Sequence, residues 1–146
     1  MRKRLLVAMG LAALAFLAAA QQPPADRSIK VKLNYTGSGK VDASHKIFVF
    51  LFDSPDFMQG AVGPFATQSA TAKDQTVTVS GISAPVVYVV AAYDPTGAYD
   101  GASGPPPSGS SMGIYSKQPG QPAPVKLEPG KAQQIEVAFD DSNKMP

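Results

Sequence analysis

Between residues 29 and 139 the chain alternates short apolar stretches with breaks rich in glycine, proline and small polar residues. Ile29 to Tyr35 sets an apolar side chain at every second position, the period of a strand with one face buried and one in water. Gln75 to Ser80 and Gln134 to Phe139 alternate in the same way, the first with β-branched residues. Phe65 to Thr71 and Val125 to Leu127 read as shorter strands. Two stretches break the alternation. Ile47 to Phe52 is apolar throughout, with Ile47, Val49 and Leu51 on one face and Phe48, Phe50 and Phe52 on the other. Both faces need cover, or one must hold a partner. Val86 to Tyr93 is the longest apolar run after residue 20 and reads as the central strand.

The breaks are turn chemistry. Thr36 to Lys40 is a loop, Asp53-Ser54-Pro55 stops the second strand, Phe57 to Gly63 is a surface loop, and Gly81 to Pro85 is a turn. Pro129-Gly130 suits the central positions of a type II turn, in a closing hairpin or a tight corner. Asp94 to Pro122 has almost no aliphatic content and reads as one long loop, pinned back by Ile114 and Tyr115. The pattern predicts an all-β fold, a single antiparallel β-sandwich of about seven strands over residues 28–141, with a polar tail at 142–146.

The first twenty residues are of another kind. Arg2, Lys3 and Arg4 precede an apolar run that ends in Ala18-Ala19-Ala20, the signature of a secretory signal helix cleaved after residue 20. Leu5 to Ala20 falls short of the roughly 20 residues that span a bilayer, so no stable membrane span is expected after cleavage. Residues 21–27 read as a disordered leader. Losing Arg2, Lys3 and Arg4 leaves ten of thirteen basic residues against eleven acids, a net charge of −1. No basic surface remains to track a phosphate backbone, which argues against nucleic-acid binding. The absence of cysteine excludes a lipid-anchored cysteine, disulfide staples and thiolate metal sites. A periplasmic or secreted location follows.

The order of strands and turns, with Val79-Ser80-Gly81-Ile82 before the central strand and Leu127-Glu128-Pro129-Gly130-Lys131 before the last, resembles the transthyretin-like (prealbumin-like) sandwich domains. These include carboxypeptidase regulatory-like and collagen-adhesin B-type repeats, and the likeness is nearest to small uncharacterised bacterial exported domains. It covers roughly residues 29–139. The chain departs from the pattern where Pro85-Val86-Val87 precedes Tyr88 and in the length of the loop after Tyr93. The resemblance implies a scaffold, linker or ligand-binding accessory role with no reaction attached.

Candidate chemistry is thin. His45 is the single histidine, and a Ser-His-Asp set can be assembled only from its neighbours Ser44 and Asp42, with no nucleophile elbow. Glu128 and Glu136 flank a turn, and Asp140 and Asp141 are adjacent on the way to the tail, so no carboxylate pair faces another across a cleft. The stretch Ala92 to Gly101 offers more. Calcium takes six to eight oxygens, and Asp94, Thr96 and Asp100 supply three side chains, with Asp53 a candidate fourth if the two apolar strands point the same way. Against this, Asp94-Pro95-Thr96-Gly97 is also a well-formed β-turn, and the EF-hand pattern is not met. Tyr99 and Tyr115, with Tyr93, are candidate platforms for a glycan or peptide. The sequence therefore points to an exported, non-catalytic structural or interaction module without a cofactor, whose partner is a cell-envelope or extracellular protein or glycan. A calcium- or carbohydrate-binding domain using the loop from Asp94 to Tyr115 is the alternative, and a hydrolase a distant third.

Overall fold

The computed structural model describes residues 26–146. The signal segment and the first part of the leader lie outside the described residues. Eight strands follow in order: β1 (Arg27–Tyr35), β2 (Ile47–Phe52), β3 (Ala66–Ala70), β4 (Thr76–Ile82), β5 (Val86–Tyr93), β6 (Ser111–Ile114), β7 (Val125–Lys126) and β8 (Ala132–Phe139). One sheet has the order β4-β1-β8, and the other β3-β2-β5-β6, with β7 pairing β5 further along.

The alternation of the sequence becomes the core. Ile29, Val31, Leu33 and Tyr35 of β1, Val77 and Val79 of β4, and Ile135, Val137 and Phe139 of β8 turn inward from the first sheet. They meet Ile47, Val49 and Leu51 of β2 and Val87, Val89, Ala91 and Tyr93 of β5 in one apolar layer between the sheets, the arrangement of a β-sandwich. The other face of β2 is covered as well. Phe48, Phe50 and Phe52 form a second cluster with Val90 and Ala92, closed over by Tyr99 at one end and by Phe57 at the other. Phe57 belongs to a short 3-10 helix, Pro55–Gln59, whose first turn is capped by the Ser54 hydroxyl, where the sequence suggested only a loop.

Four expectations need correction. The sheets are antiparallel with one exception, because β1 and β8, the first and last strands, run parallel over eight consecutive pairs. The segment from Asp94 to Pro122 is not one loop, for β6 lies inside it and pairs with β5 from Val90 to Tyr93. The pattern hid β6 because its inward positions are Ser111 and Gly113. A Cβ at Gly113 would sit 2.6 Å from the Phe139 Cβ, so a small residue is what lets the last strand close against this edge. The last two residues of the leader belong to the domain, since Asp26 accepts the Gly81 and Gly130 N–H groups and Arg27 opens β1. The polar tail, finally, lies along the outer edge of β6, with Met112 N–H donating to Asn143 at 2.8 Å and Met145 N–H to Ser110 at 2.9 Å.

Candidate functional site

The loop that leaves β5 is built around its first carboxylate. Asp94 is buried, at 4% exposure, and accepts from the Thr96 N–H at 2.9 Å, the Thr96 hydroxyl at 2.8 Å and the Tyr99 N–H at 3.0 Å. Its carbonyl takes the Gly97 N–H, which completes the turn. Burial pushes the Asp94 carboxyl up, but the Thr96 hydroxyl and the N–H bonds outweigh it and hold the group below its ordinary range. Gly97 has φ of 71° and lies so close to the Ser44 carbonyl, 2.6 Å from where a Cβ would be, that glycine is required there.

Asp100 closes a second turn. It accepts the Ala102 and Ser103 N–H groups, each at 2.8 Å, and the Ser103 hydroxyl at 2.6 Å. These bonds, the Ser103 hydroxyl first, lower its pKa. Asp53 is elsewhere. β2 and β5 are antiparallel, with Ile47 opposite Tyr93 and Phe52 opposite Tyr88. Asp53 and Asp94 therefore leave opposite ends of the pair, roughly 20 Å apart at ~3.3 Å per residue. Among the described residues no three His, Cys, Asp or Glu side chains converge as a metal set.

The tyrosines do not share a surface. Tyr99 lies edge-on to Phe48, ring centroids 5.2 Å apart, and donates its hydroxyl to the Gly104 carbonyl. Tyr115 packs against the core between the sheets, on the other side of β5. Tyr93 is buried beside Tyr35 and donates to the Lys40 carbonyl. In the loop before β2, Asp42 accepts the N–H groups of Ser44 and His45 and approaches His45 Nδ1 at 3.1 Å. The imidazole is thus oriented, yet no hydroxyl is hydrogen-bonded to its Nε2 among the described residues.

Sequence reasoning missed two features. Asp141 accepts from the Tyr35 hydroxyl at 2.5 Å, the Ser111 hydroxyl at 2.7 Å and the Ser38 N–H at 2.9 Å, so it ties the tail to β1 and β6. These bonds, Tyr35 first, hold its carboxyl far below the ordinary 3.8, while burial and Asp141 push Tyr35 up to about 12. The signs define a plateau. A depressed carboxyl gives stability that is lost as pH falls below about 4, and a raised phenol gives stability lost as pH rises from about 10 towards 12. The gap in stability between wild type and Asp141→Asn, measured by urea denaturation, should be widest from about pH 5 to pH 9 and narrow towards pH 2. A gap that stays constant to pH 2 would sink this role. Nothing in the sequence around Asp141 marks it, since its partners lie 30 to 106 positions away.

The second missed feature is a groove of about 410 Å³ on the flank of the sandwich, where the edges of the two sheets meet. Met112 and Ile114 of β6, Ala138 and Phe139 of β8, and Gln121 and Asn143 are among the residues that line it.

The chain matches no protein-family model, no curated protein and no solved structure.

Proposed function

We propose that this chain is an exported, non-catalytic β-sandwich module that binds another protein of the cell envelope or the extracellular space. One observation carries the reading: the flank offers an open groove between two strand edges, while the carboxylates of the loop after β5 and of Asp141 are engaged within the domain. Asp94 and Asp100 each spend both carboxylate oxygens on donors of their own loop, and Asp141 spends both on Tyr35 of β1, Ser111 of β6 and Ser38. A calcium- or carbohydrate-binding role for the loop from Asp94 to Tyr115 would have to compete with the bonds that Asp94 and Asp100 already accept. It would also need Tyr99 and Tyr115 to act from opposite sides of one sheet.

Kinship with the transthyretin-like domains is part of the proposal. It is supported by the shared core of two sheets and by the glycines of the two turn motifs, Gly81 and Gly130, which both sit at positive φ, 70° and 71°. Export by residues 1–20 is likewise proposed from the sequence. Among the described residues no helix is long and apolar enough to cross a membrane.

Chemical crosslinking of the protein at its natural level on intact cells tests the reading. The expected result is a discrete adduct with one envelope or extracellular protein, competed away by excess purified domain. A chain that stays unlinked under varied growth conditions contradicts it.

A further inference from the structure

The three-stranded sheet ends on β8, whose free side is the longest strand edge among the described residues. Its pairing with β1 runs without irregularity from Ser28 opposite Ala132 to Tyr35 opposite Phe139. In a parallel pair both backbone groups of every second residue address the neighbour, and those of the residues between face away. The Phe139 carbonyl takes the Thr36 N–H at 3.0 Å, so Ile135, Val137 and Phe139 address β1. The N–H and C=O groups of Gln134, Glu136 and Ala138 therefore point outward, where no strand of the described residues lies. This edge has neither proline nor bulge, and Glu136 is its only charge. The other edges are shorter, irregular or covered. β3 spans five residues, β4 meets β1 through a register shift, and β6 is covered by the tail over Ser110 to Met112.

Resting on the binding-module reading, we infer that β8 accepts an extended, basic segment of a partner polypeptide as the fourth strand of this sheet. The end of that segment enters the groove beside Ala138 and Phe139. The chain already covers the neighbouring strand edge in cis. On the adjoining edge of β6 the residues from Asn143 to Met145 take the place of an added strand, and the vacant edge of β8 continues that interface. Charge selects the partner. Glu136 makes no ion pair among the described residues, because Lys32, opposite it in register, turns instead to the Asp74 carbonyl. A lysine or arginine across from Glu136 would complement it, whereas two copies paired about Glu136 would set like charges face to face.

A tethered probe tests this. The hexapeptide Lys-Val-Lys-Val-Lys-Val, joined after Pro146 by a flexible glycine-serine linker of about 20 residues, reaches an effective concentration in the millimolar range. Amide hydrogen exchange at Gln134, Glu136 and Ala138 should slow at least tenfold, and less with a Glu-Val-Glu-Val-Glu-Val probe. Glu136→Lys should reverse that preference. Glu136→Pro and Ala138→Pro each remove one outward N–H without touching the bonds to β1, and both should abolish the protection while the protein still melts cooperatively. The inference is overturned by unchanged exchange, by protection at Ile114 alone, or by protection in the untethered protein that rises with its concentration, which would mean a second copy. Envelope crosslinking separates this claim from the broader reading. Equal capture of the partner by wild type and Glu136→Pro removes the β8 edge and leaves the binding module standing, whereas protection by the probe without any captured partner does the reverse.

Discussion

Replacing Asp94 by alanine should lower the stability of the domain by about 3 kcal/mol, because the substitution strips a buried, charged acceptor from three donors at once. The Thr96 N–H, the Thr96 hydroxyl and the Tyr99 N–H would be left without their partner. Tyr99 would then lose the bond that holds its ring over Phe48 and Phe50. The melting temperature should fall by roughly 10 °C for a domain of this size. Asp94→Asn keeps an acceptor oxygen and should recover about half of the loss. Thermal melting followed by circular dichroism reads both. A fall of less than about 1 kcal/mol for the alanine variant would show that the loop does not depend on this carboxylate.

Phe50→Ala should cost about 4 kcal/mol, the loss expected on deleting a buried aromatic ring. Phe50 is 4% exposed although it lies on the outer face of its sheet, under Tyr99 and beside Phe48. If the second cluster were a bare surface waiting for a partner, the same substitution would cost only a few tenths. Met58 and Phe65 supply the comparison, at 53% and 43% exposure, and their alanine variants should stay within about 0.5 kcal/mol of wild type. Urea denaturation separates the two cases. Equal effects at Phe50 and Phe65 would contradict the covered second face.

The strands that alternate were legible because burial on one face writes itself into a period of two, as Ile29 to Tyr35 and Gln134 to Phe139 show. The apolar run from Ile47 to Phe52 also stated its demand, cover on both faces, without naming what supplies it. Tyr99 does so from a loop and Phe57 from a short 3-10 helix, neither of which carries a periodic signal. β6 was silent for a different reason, since Ser111 and Gly113 are small to admit Asp141 and Phe139, and their smallness looks like loop composition. The β-turn at Asp94 could be read from Asp-Pro-Thr-Gly, whereas the position of Asp53 could not, because it depends on the relative direction of β2 and β5. The parallel pairing of β1 with β8 is likewise a property of the whole chain path. The groove exists only because of that pairing and the return of the tail.

The central claim is that the loop after β5 is closed by hydrogen bonds to its own carboxylates, the ground on which binding through the sandwich surface is proposed in preference to a calcium site. The most direct measurement is thermal melting of the protein in millimolar calcium and again in excess chelator. The account predicts the same melting temperature in both, for wild type and for Asp100→Asn alike. A calcium site at Asp94, Thr96 and Asp100, saturated at 100-fold over its Kd, would add about 2.7 kcal/mol. A rise of that size in wild type, lost in Asp100→Asn, would contradict the account and make the loop the functional site.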